Sequence, residues 1–149
     1  MSARDRALLH EAIELSRAAP PSRDAFSVGA LIAARDGSVL ATGFSRERGA
    51  QSHAEHVAIE KALEAHAALR DATLYSSLEP CSVRGSGLLP CAARIIAAGI
   101  SRVVFAMREP SVFVEGHGAE VLAAAGVEVI ELNDEAPLVA QINAHLGCA

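Results

Sequence analysis

The stretch Ser-His-Ala-Glu at residues 52–55 is followed by two Pro-Cys pairs, at residues 80–81 and 90–91. One histidine and two cysteines make a typical zinc ligand set, and three protein ligands leave a fourth coordination position open for water. In this pattern Glu55 is a spare carboxylate, available as an acid/base group rather than as a ligand. The predicted zinc ligands are therefore His53, Cys81 and Cys91.

Around these motifs, apolar periodicity and turn residues predict alternating helices and strands. Asp36-Gly37, between two short apolar runs, indicates a β-hairpin early in the chain. The predicted elements are helix Arg4–Ala19, strands Val28–Ala34 and Val39–Phe44, helix His53–His66, strand Thr73–Leu78, helix Cys91–Ala98, strand Arg102–Met107, helix Gly118–Ala125, strand Val127–Leu132 and helix Pro137–Leu146. This order predicts an α/β fold, with one five-stranded mixed sheet covered by helices on both faces and its later strands parallel.

Length and charge limit the classes of function. At 149 residues the chain has the length of one domain, so residues 1–149 are expected to form a single domain. A net charge of -5 argues against an extended nucleic acid as partner, because such binding needs clustered cations. A small molecule is the expected ligand.

Cysteine use and hydropathy predict the compartment. The chain has three cysteines, an odd number, and two are assigned to metal, so no disulfide framework is expected. We find no apolar stretch of about 18 residues, the length that a membrane span needs. The sequence therefore predicts a cytoplasmic protein that does not bind a membrane.

The motifs resemble two related groups of deaminases. His-Ala-Glu at 53–55 with the two Pro-Cys pairs resembles the zinc-dependent cytidine deaminase superfamily, whose signature is H-x-E followed by P-C-x-x-C. Here nine residues, 82–90, separate the cysteines, and this longer insert is similar to the deaminase domain of bacterial riboflavin biosynthesis. The segments at 103–111 and 116–118 also resemble that domain's M-x-D-P-N-P and G-x-G runs. The resemblance implies a cytidine-deaminase-like three-layer α/β/α sandwich.

The resemblance also implies a reaction. The exocyclic amino group of a pyrimidine-like heterocycle, as base, nucleoside or nucleotide, would be replaced by a carbonyl with release of ammonia. Zn2+ would activate water, and Glu55 would carry protons from it to a ring nitrogen and to the departing amine. A backbone amide near Ala54 and a carbonyl near Ser77 would hold the edge of the substrate.

The same resemblance implies which strand lines the substrate pocket and that the chain forms a homo-oligomer. Residues 26–30, Phe-Ser-Val-Gly-Ala, resemble the strand that walls the base pocket in free cytidine deaminases. Phe26 and Gly29 are therefore expected to contact substrate, with Gly29 allowing the backbone to approach the ring. Related deaminases often complete each pocket with a neighbouring subunit, which implies a homodimer or homotetramer.

The chain departs from the riboflavin pattern at that family's substrate contacts. Ala25 replaces an asparagine, Val83 replaces a histidine, and Ser-Val at 111–112 replaces Asn-Pro. The sequence therefore favours a general pyrimidine-type deaminase, with a stand-alone riboflavin-pathway diaminopyrimidine deaminase and a guanine-type purine deaminase as alternatives. Two other classes stay open, a non-catalytic zinc-stabilised binding protein and a nucleic-acid-editing enzyme. Glu55 favours an enzyme over the binding protein, because a structural zinc site is closed by a fourth protein ligand.

Three arginines and one histidine are further candidates for substrate contacts. Arg84 lies in a glycine-containing loop that could cradle a phosphate or carboxylate, and Arg46 and Arg48 compete for that role. His117, between two glycines, could contact substrate or cap a turn.

Structural interpretations of the main motif are also available. Ser52 and Glu55 have the spacing of a helix capping box, in which Glu55 would only bind the Ser52 backbone. Cys81 and Cys91 could form a disulfide or remain two buried thiols.

Overall fold

The computed structural model describes residues 2–83, 89–108 and 117–146, and these form five α-helices and five strands in the predicted order. The helices are α1 (Ala3–Leu15), α2 (Ala54–Glu64), α3 (Cys91–Ala98), α4 (Gly118–Ala124) and α5 (Ala136–Ile142). The strands are β1 (Gly29–Ala33), β2 (Val39–Phe44), β3 (Thr73–Leu78), β4 (Arg102–Met107) and β5 (Glu128–Glu131). None of the described helices has the length and apolar content needed to cross a bilayer.

The five strands form one mixed sheet in the order β2-β1-β3-β4-β5. Strand β1 pairs antiparallel with β2 and β3, whereas the β3–β4 and β4–β5 pairs are parallel. The hairpin between β1 and β2 turns at Gly37, whose φ of 92° favours glycine. The predicted α/β fold with a five-stranded mixed sheet is confirmed.

Helices cover both faces of this sheet. Successive strand residues point to opposite faces, and each face forms its own buried cluster. One cluster joins residues such as Ile32 and Leu74 to apolar side chains of α2, α3 and α4. The other joins residues such as Leu31 and Val104 to α1 and α5. The molecule therefore has three layers, α/β/α.

The ends of six elements differ from the prediction by one to four residues, namely α1, β1, α2, α4, β5 and α5. Helix α1 stops at Leu15 and continues as a 3-10 turn over Ser16–Ala18, so it is shorter than predicted. Its start is fixed by a capping box between Ser2 and Asp5, which the sequence prediction overlooked. Strand β1 begins one residue later than predicted, because the Val28 N–H donates to Ser45 Oγ at 2.8 Å.

Helix α4 begins directly against the loop that follows β3. A Cβ atom on Gly118 would lie 1.7 Å from the carbonyl oxygen of Pro80, so only glycine permits this approach. Cys81 follows Pro80 in the chain. The packing of α4 therefore helps to position the loop that carries one predicted zinc ligand.

Candidate metal centre

The three predicted zinc ligands come from three separate segments. His53 is the N-cap residue of α2, and Cys91 is the first residue of α3. Cys81 lies in the loop just after β3, and the Cys81 carbonyl accepts the backbone N–H of Ala92 at 3.0 Å. This hydrogen bond joins the start of α3 to the loop after β3, and it brings Cys91 next to Cys81.

The ligand atoms are spaced as a zinc ion requires. His53 Nδ1 lies 3.5 Å from Cys81 Sγ and 3.4 Å from Cys91 Sγ. In a tetrahedral site with ordinary Zn–N and Zn–S bond lengths, nitrogen and sulfur ligands lie about 3.6 Å apart. All three ligand atoms lie within 4.8 Å of one another. The donor set and its spacing therefore fit zinc, and Nδ1 is the atom through which His53 would bind it.

The two cysteines are free thiols, so the disulfide interpretation is wrong. The backbone N–H of Cys91 donates to Cys81 Sγ at 3.2 Å. Hydrogen bonds with the Cys91 thiol and with His53 lower the pKa of the Cys81 thiol, against the opposing effect of burial. A lowered pKa favours the thiolate, which is the form that binds a metal.

Glu55 lies in the first turn of α2 and is 4% exposed. Its Oε2 accepts a hydrogen bond from Ser76 Oγ at 3.3 Å. Burial raises the pKa of Glu55 to about 7, and the charge of His53 opposes this effect. A buried carboxyl group with a raised pKa beside a metal site is suited to exchange protons near neutral pH.

The capping-box interpretation of Ser52 and Glu55 is wrong. The N-cap residue of α2 is His53, and no side chain caps this helix end. The Ser52 hydroxyl donates to the Gly49 carbonyl at 3.0 Å. Glu55 therefore does not form a capping box with Ser52, and its side chain contacts Ser76 on β3.

Arg46 and Arg48, the competing candidates for a substrate phosphate, are engaged elsewhere. Arg46 donates to the carbonyl oxygens of Pro20 and Phe26, at 2.7 and 3.2 Å. Arg48 pairs with Glu60 and Glu64 on α2, both at 2.7 Å. These contacts order the segment before His53. The other candidate, Arg84, and the departures at 111–112 lie outside the described residues.

Gly29, in the predicted pocket wall, packs closely against helix α1. A Cβ on Gly29 would lie 1.9 Å from the Ala12 carbonyl oxygen, so the close approach that requires glycine is to α1. The packing against α1 therefore accounts for a glycine here, and the predicted contact of Gly29 with the substrate ring stays a prediction. Phe26, the neighbouring prediction, is 7% exposed and lies in the apolar cluster beneath α2, α3 and α4.

The remaining predicted contacts lie at helix or strand ends. Ala54 is buried as the first residue of α2, where backbone N–H groups have no partner within the helix. The Ser77 hydroxyl accepts the Gly29 N–H at 3.1 Å, on the opposite side of β3 from Ser76. His117 is the N-cap residue of α4, and its N–H donates to Ser82 Oγ at 3.3 Å.

Two polar residues beside the site were not identified from the sequence. Ser76 contacts Glu55, and Glu79 accepts the Ala119 N–H through Oε2 at 3.0 Å. Both are almost completely buried. The alternation of side chains along β3 predicts that residue 76 faces α2, which was the available signal for Ser76.

Comparisons with known proteins agree with this geometry. The family model for the cytidine and deoxycytidylate deaminase zinc-binding region matches residues 2–107. The diaminohydroxyphosphoribosylamino-pyrimidine deaminase of Schizosaccharomyces pombe is 39% identical over 123 residues, covering 81% of this chain and 30% of that protein.

Two solved structures are also similar. A diaminohydroxyphosphoribosylaminopyrimidine deaminase/5-amino-6-(5-phosphoribosylamino)uracil reductase from Thermotoga maritima has a TM-score of 0.83 at 36% identity, covering 93% of this chain and 39% of that one. The Rib2 deaminase of Aspergillus oryzae, a C-terminal deletion mutant, has a TM-score of 0.84 at 27% identity, covering 94% and 90%. This chain thus spans well under half of the Schizosaccharomyces pombe and Thermotoga maritima proteins. The predicted zinc site of His53, Cys81 and Cys91 is confirmed by the family match and by its own geometry.

Proposed function

The chain belongs to the cytidine and deoxycytidylate deaminase zinc-binding family, and on that premise we propose that it is a zinc-dependent hydrolytic deaminase of the riboflavin-pathway diaminopyrimidine. The observation that carries this proposal is the cluster of His53, Cys81 and Cys91 beside a buried carboxyl group, Glu55. Among the residues that the structure describes the cluster has three protein ligands, and three ligands leave an open coordination position, as catalytic zinc sites do. A purely structural zinc site would be closed by a fourth ligand.

The relatives favour the diaminopyrimidine over the general pyrimidine substrate that the sequence favoured. The similar proteins of Schizosaccharomyces pombe and Thermotoga maritima are named as diaminohydroxyphosphoribosylaminopyrimidine deaminases, and that of Aspergillus oryzae is named as a Rib2 deaminase. The nine-residue insert between Cys81 and Cys91 points the same way. The substrate proposed is therefore the alternative of the sequence analysis, a small phosphoribosylated aminopyrimidine.

The protein's own residues account for the proton transfers of the proposed reaction. Bound zinc would supply a water of lowered pKa as the nucleophile. Glu55 would accept one proton of the attacking water at a carboxylate oxygen and deliver it to a ring nitrogen. It would then take the second proton from the hydroxyl now bonded to the ring carbon and pass it to the amino group, which leaves as ammonia while the carbonyl forms. The backbone N–H of Ala54 and the carbonyl of Ser77 are the proposed contacts to the edge of the ring. Water and the amine are consumed, and a carbonyl and ammonia are formed.

The proposal extends to the domain organisation, the assembly and the location of the protein. Residues 1–149 are proposed to act as one deaminase domain, with Phe26, Gly29, Arg84 and His117 as further candidate contacts to substrate. The homodimer or homotetramer implied by resemblance stays a prediction. A cytoplasmic location fits the free thiols of Cys81 and Cys91.

Ammonia release tests the function directly. The assay compares wild-type protein of measured zinc content with Glu55→Gln, which keeps the size of the side chain but cannot exchange protons. The substrates are the riboflavin diaminopyrimidine, cytidine, deoxycytidine monophosphate and guanine. We expect turnover of the diaminopyrimidine, a loss of about 10²- to 10⁴-fold in Glu55→Gln, and about one zinc per chain in both proteins.

The other outcomes separate the alternatives. Turnover of cytidine or deoxycytidine monophosphate alone would support the general pyrimidine deaminase, and turnover of guanine alone would support the purine alternative. Full activity in Glu55→Gln would contradict its acid/base role. No ammonia from any substrate, in protein that holds stoichiometric zinc, would favour the non-catalytic binding protein.

A further inference from the structure

We propose that Ser76 is a positioning residue for Glu55: its hydroxyl holds one carboxylate oxygen, so that the other is directed to the substrate. This inference rests on the proposed deaminase function. The contact joins Ser76 Oγ and Glu55 Oε2 at 3.3 Å, and both side chains are buried. Neither the zinc ligands nor the predicted substrate contacts account for a buried hydroxyl at this position.

Ser76 is itself held firmly by the backbone around it. Its single hydroxyl hydrogen has two acceptors in reach, the Leu78 carbonyl at 2.7 Å and Glu55 Oε2 at 3.3 Å, and its oxygen accepts the Leu78 N–H at 3.4 Å. Residue 76 is 0% exposed and pairs with Ala30 and Phe105 on the two neighbouring strands. The position of the hydroxyl is therefore set by the centre of the sheet and not by a bound substrate.

The contact with Ser76 ties the Glu55 side chain to the sheet, in addition to the backbone hydrogen bond that Glu55 makes at the start of its helix. Glu55 lies in the first turn of α2, its side chain has several rotatable bonds, and no capping box holds it. Ser76 engages Oε2, whereas Oε1 accepts no side-chain hydrogen bond from the residues that the structure describes. Oε1 is thus the oxygen left for proton transfer, and fixing it before substrate binds avoids a loss of side-chain freedom during the reaction.

A hydroxyl suits a group that gains and loses a proton during turnover. It carries one hydrogen and two lone pairs, so it donates to a carboxylate and accepts from a protonated carboxyl group. When the Ser76 hydrogen points to Leu78 O, a lone pair remains for the protonated form of Glu55. The same contact can therefore persist through the proton transfers, which a donor-only or acceptor-only side chain could not do.

The experiment compares Ser76→Ala and Ser76→Thr with wild type and with Ser16→Ala as a matched control. Ser16 is also a buried serine, 2% exposed, whose hydroxyl donates to the Ile13 carbonyl on the other face of the sheet. We expect Ser76→Ala to lower kcat by about 10- to 100-fold, the range for a lost hydrogen bond to a charged group, with KM within about twofold. Ser76→Thr, which keeps a hydroxyl, should recover most of kcat, and Ser16→Ala should match wild type.

A structural readout that does not depend on activity completes the test. Crystal structures of zinc-loaded wild type and Ser76→Ala should show one Glu55 conformation in the first and a displaced or multiple conformation in the second. An unchanged Glu55 together with unchanged kcat would overturn the proposal, and so would an equal loss of kcat in Ser16→Ala. If Ser76→Thr is too large for this buried position and does not fold, Ser76→Cys keeps the volume with a weaker donor and should fall between wild type and Ser76→Ala.

Failure of this inference can be told from failure of the proposed function. If wild type releases no ammonia from any tested substrate, the deaminase proposal fails, and the two crystal structures still decide whether Ser76 positions Glu55. If wild type is active and Ser76→Ala equals it with Glu55 in place, only the role of Ser76 is rejected.

Discussion

Glu79 joins the loop of one zinc ligand to helix α4. Its side chain is 1% exposed, Oε2 accepts the Ala119 N–H, and Arg108 lies 3.6 Å away. Its own N–H donates to the Met107 carbonyl at 2.9 Å. Because Cys81 is only two residues further on, Glu79 fixes the direction in which the chain leaves β3 towards the metal.

Replacing Glu79 should therefore weaken zinc binding. Glu79→Gln keeps the size of the side chain but removes the charge that attracts the N–H of α4 and Arg108. We expect zinc affinity to fall by about tenfold, as is typical when a group that supports metal ligands is lost. Competition with a chromophoric chelator measures this. Glu120→Gln is the control, because Glu120 also lies 3.1 Å from Arg108 but has a side chain 59% exposed; an equal loss in both variants would contradict the assignment.

At this scale the sequence predicted the residues whose chemistry is fixed by type. His53, Cys81 and Cys91 were identifiable because few side chains bind zinc, and Glu55 because it is the carboxylate beside them. Ser76 was not, because a serine is defined only by its neighbours, and these depend on the strand face that meets α2. The contact of Gly29 with α1 was not predicted either, since the packing of α1 against β1 is not visible in a local motif.

Helix α1 is tied to the sheet through Asp5. This side chain caps the helix with Ser2, accepts the Tyr75 hydroxyl at 2.7 Å, and forms two hydrogen bonds with Arg102. Arg102 is the main cause of an Asp5 pKa well below the usual range. One carboxylate thus links α1 to β3 and β4, which explains why the helix starts where it does.

The Asp5 network makes stability depend on acid pH. A lowered folded-state pKa means that its contribution is complete above the unfolded value, about 3.9, and is lost as pH falls through the folded value. Asp5→Asn should lower the free energy of unfolding at pH 7 by about 2 kcal/mol and flatten its decline below about pH 4. Urea denaturation across pH measures both. Asp134→Asn breaks an exposed pair with Arg6 and should cost under about 1 kcal/mol; a pH profile for Asp5→Asn parallel to wild type would reject the linkage.

The order of elements was predictable, whereas their ends were not. Apolar periods and turn residues such as Asp36-Gly37 identify each helix and strand within a few residues. The ends depend on single hydrogen bonds, as at Val28, whose N–H is taken by the Ser45 hydroxyl instead of a neighbouring strand. The sheet order also needs contacts between distant parts of the chain, which here agree with the parallel arrangement expected of strand–helix alternation.

At the scale of the whole molecule, the residues that follow α5 contact residues 25–27, where the predicted pocket wall begins. Asn143 follows α5, is 0% exposed, and its amide accepts the Ser27 N–H at 2.7 Å and donates to the Ser27 carbonyl at 3.3 Å. His145 lies 3.3 Å from the Ala25 carbonyl. The positions of residues 25–27 therefore depend on residues more than a hundred positions later.

Because Asn143 holds the Ser27 backbone, we expect Asn143→Ala to affect substrate binding more than metal binding. Loss of both hydrogen bonds leaves the Ser27 backbone groups unpaired, so the free energy of unfolding should fall by about 1–3 kcal/mol. Phe26 would then be less fixed, and KM for the aminopyrimidine should rise several-fold while zinc content stays constant. Urea denaturation, steady-state kinetics and zinc analysis measure these effects against Gln141→Ala, an exposed residue of the same helix. A variant that keeps wild-type KM despite the loss of stability would show that α5 supports the fold without shaping the pocket.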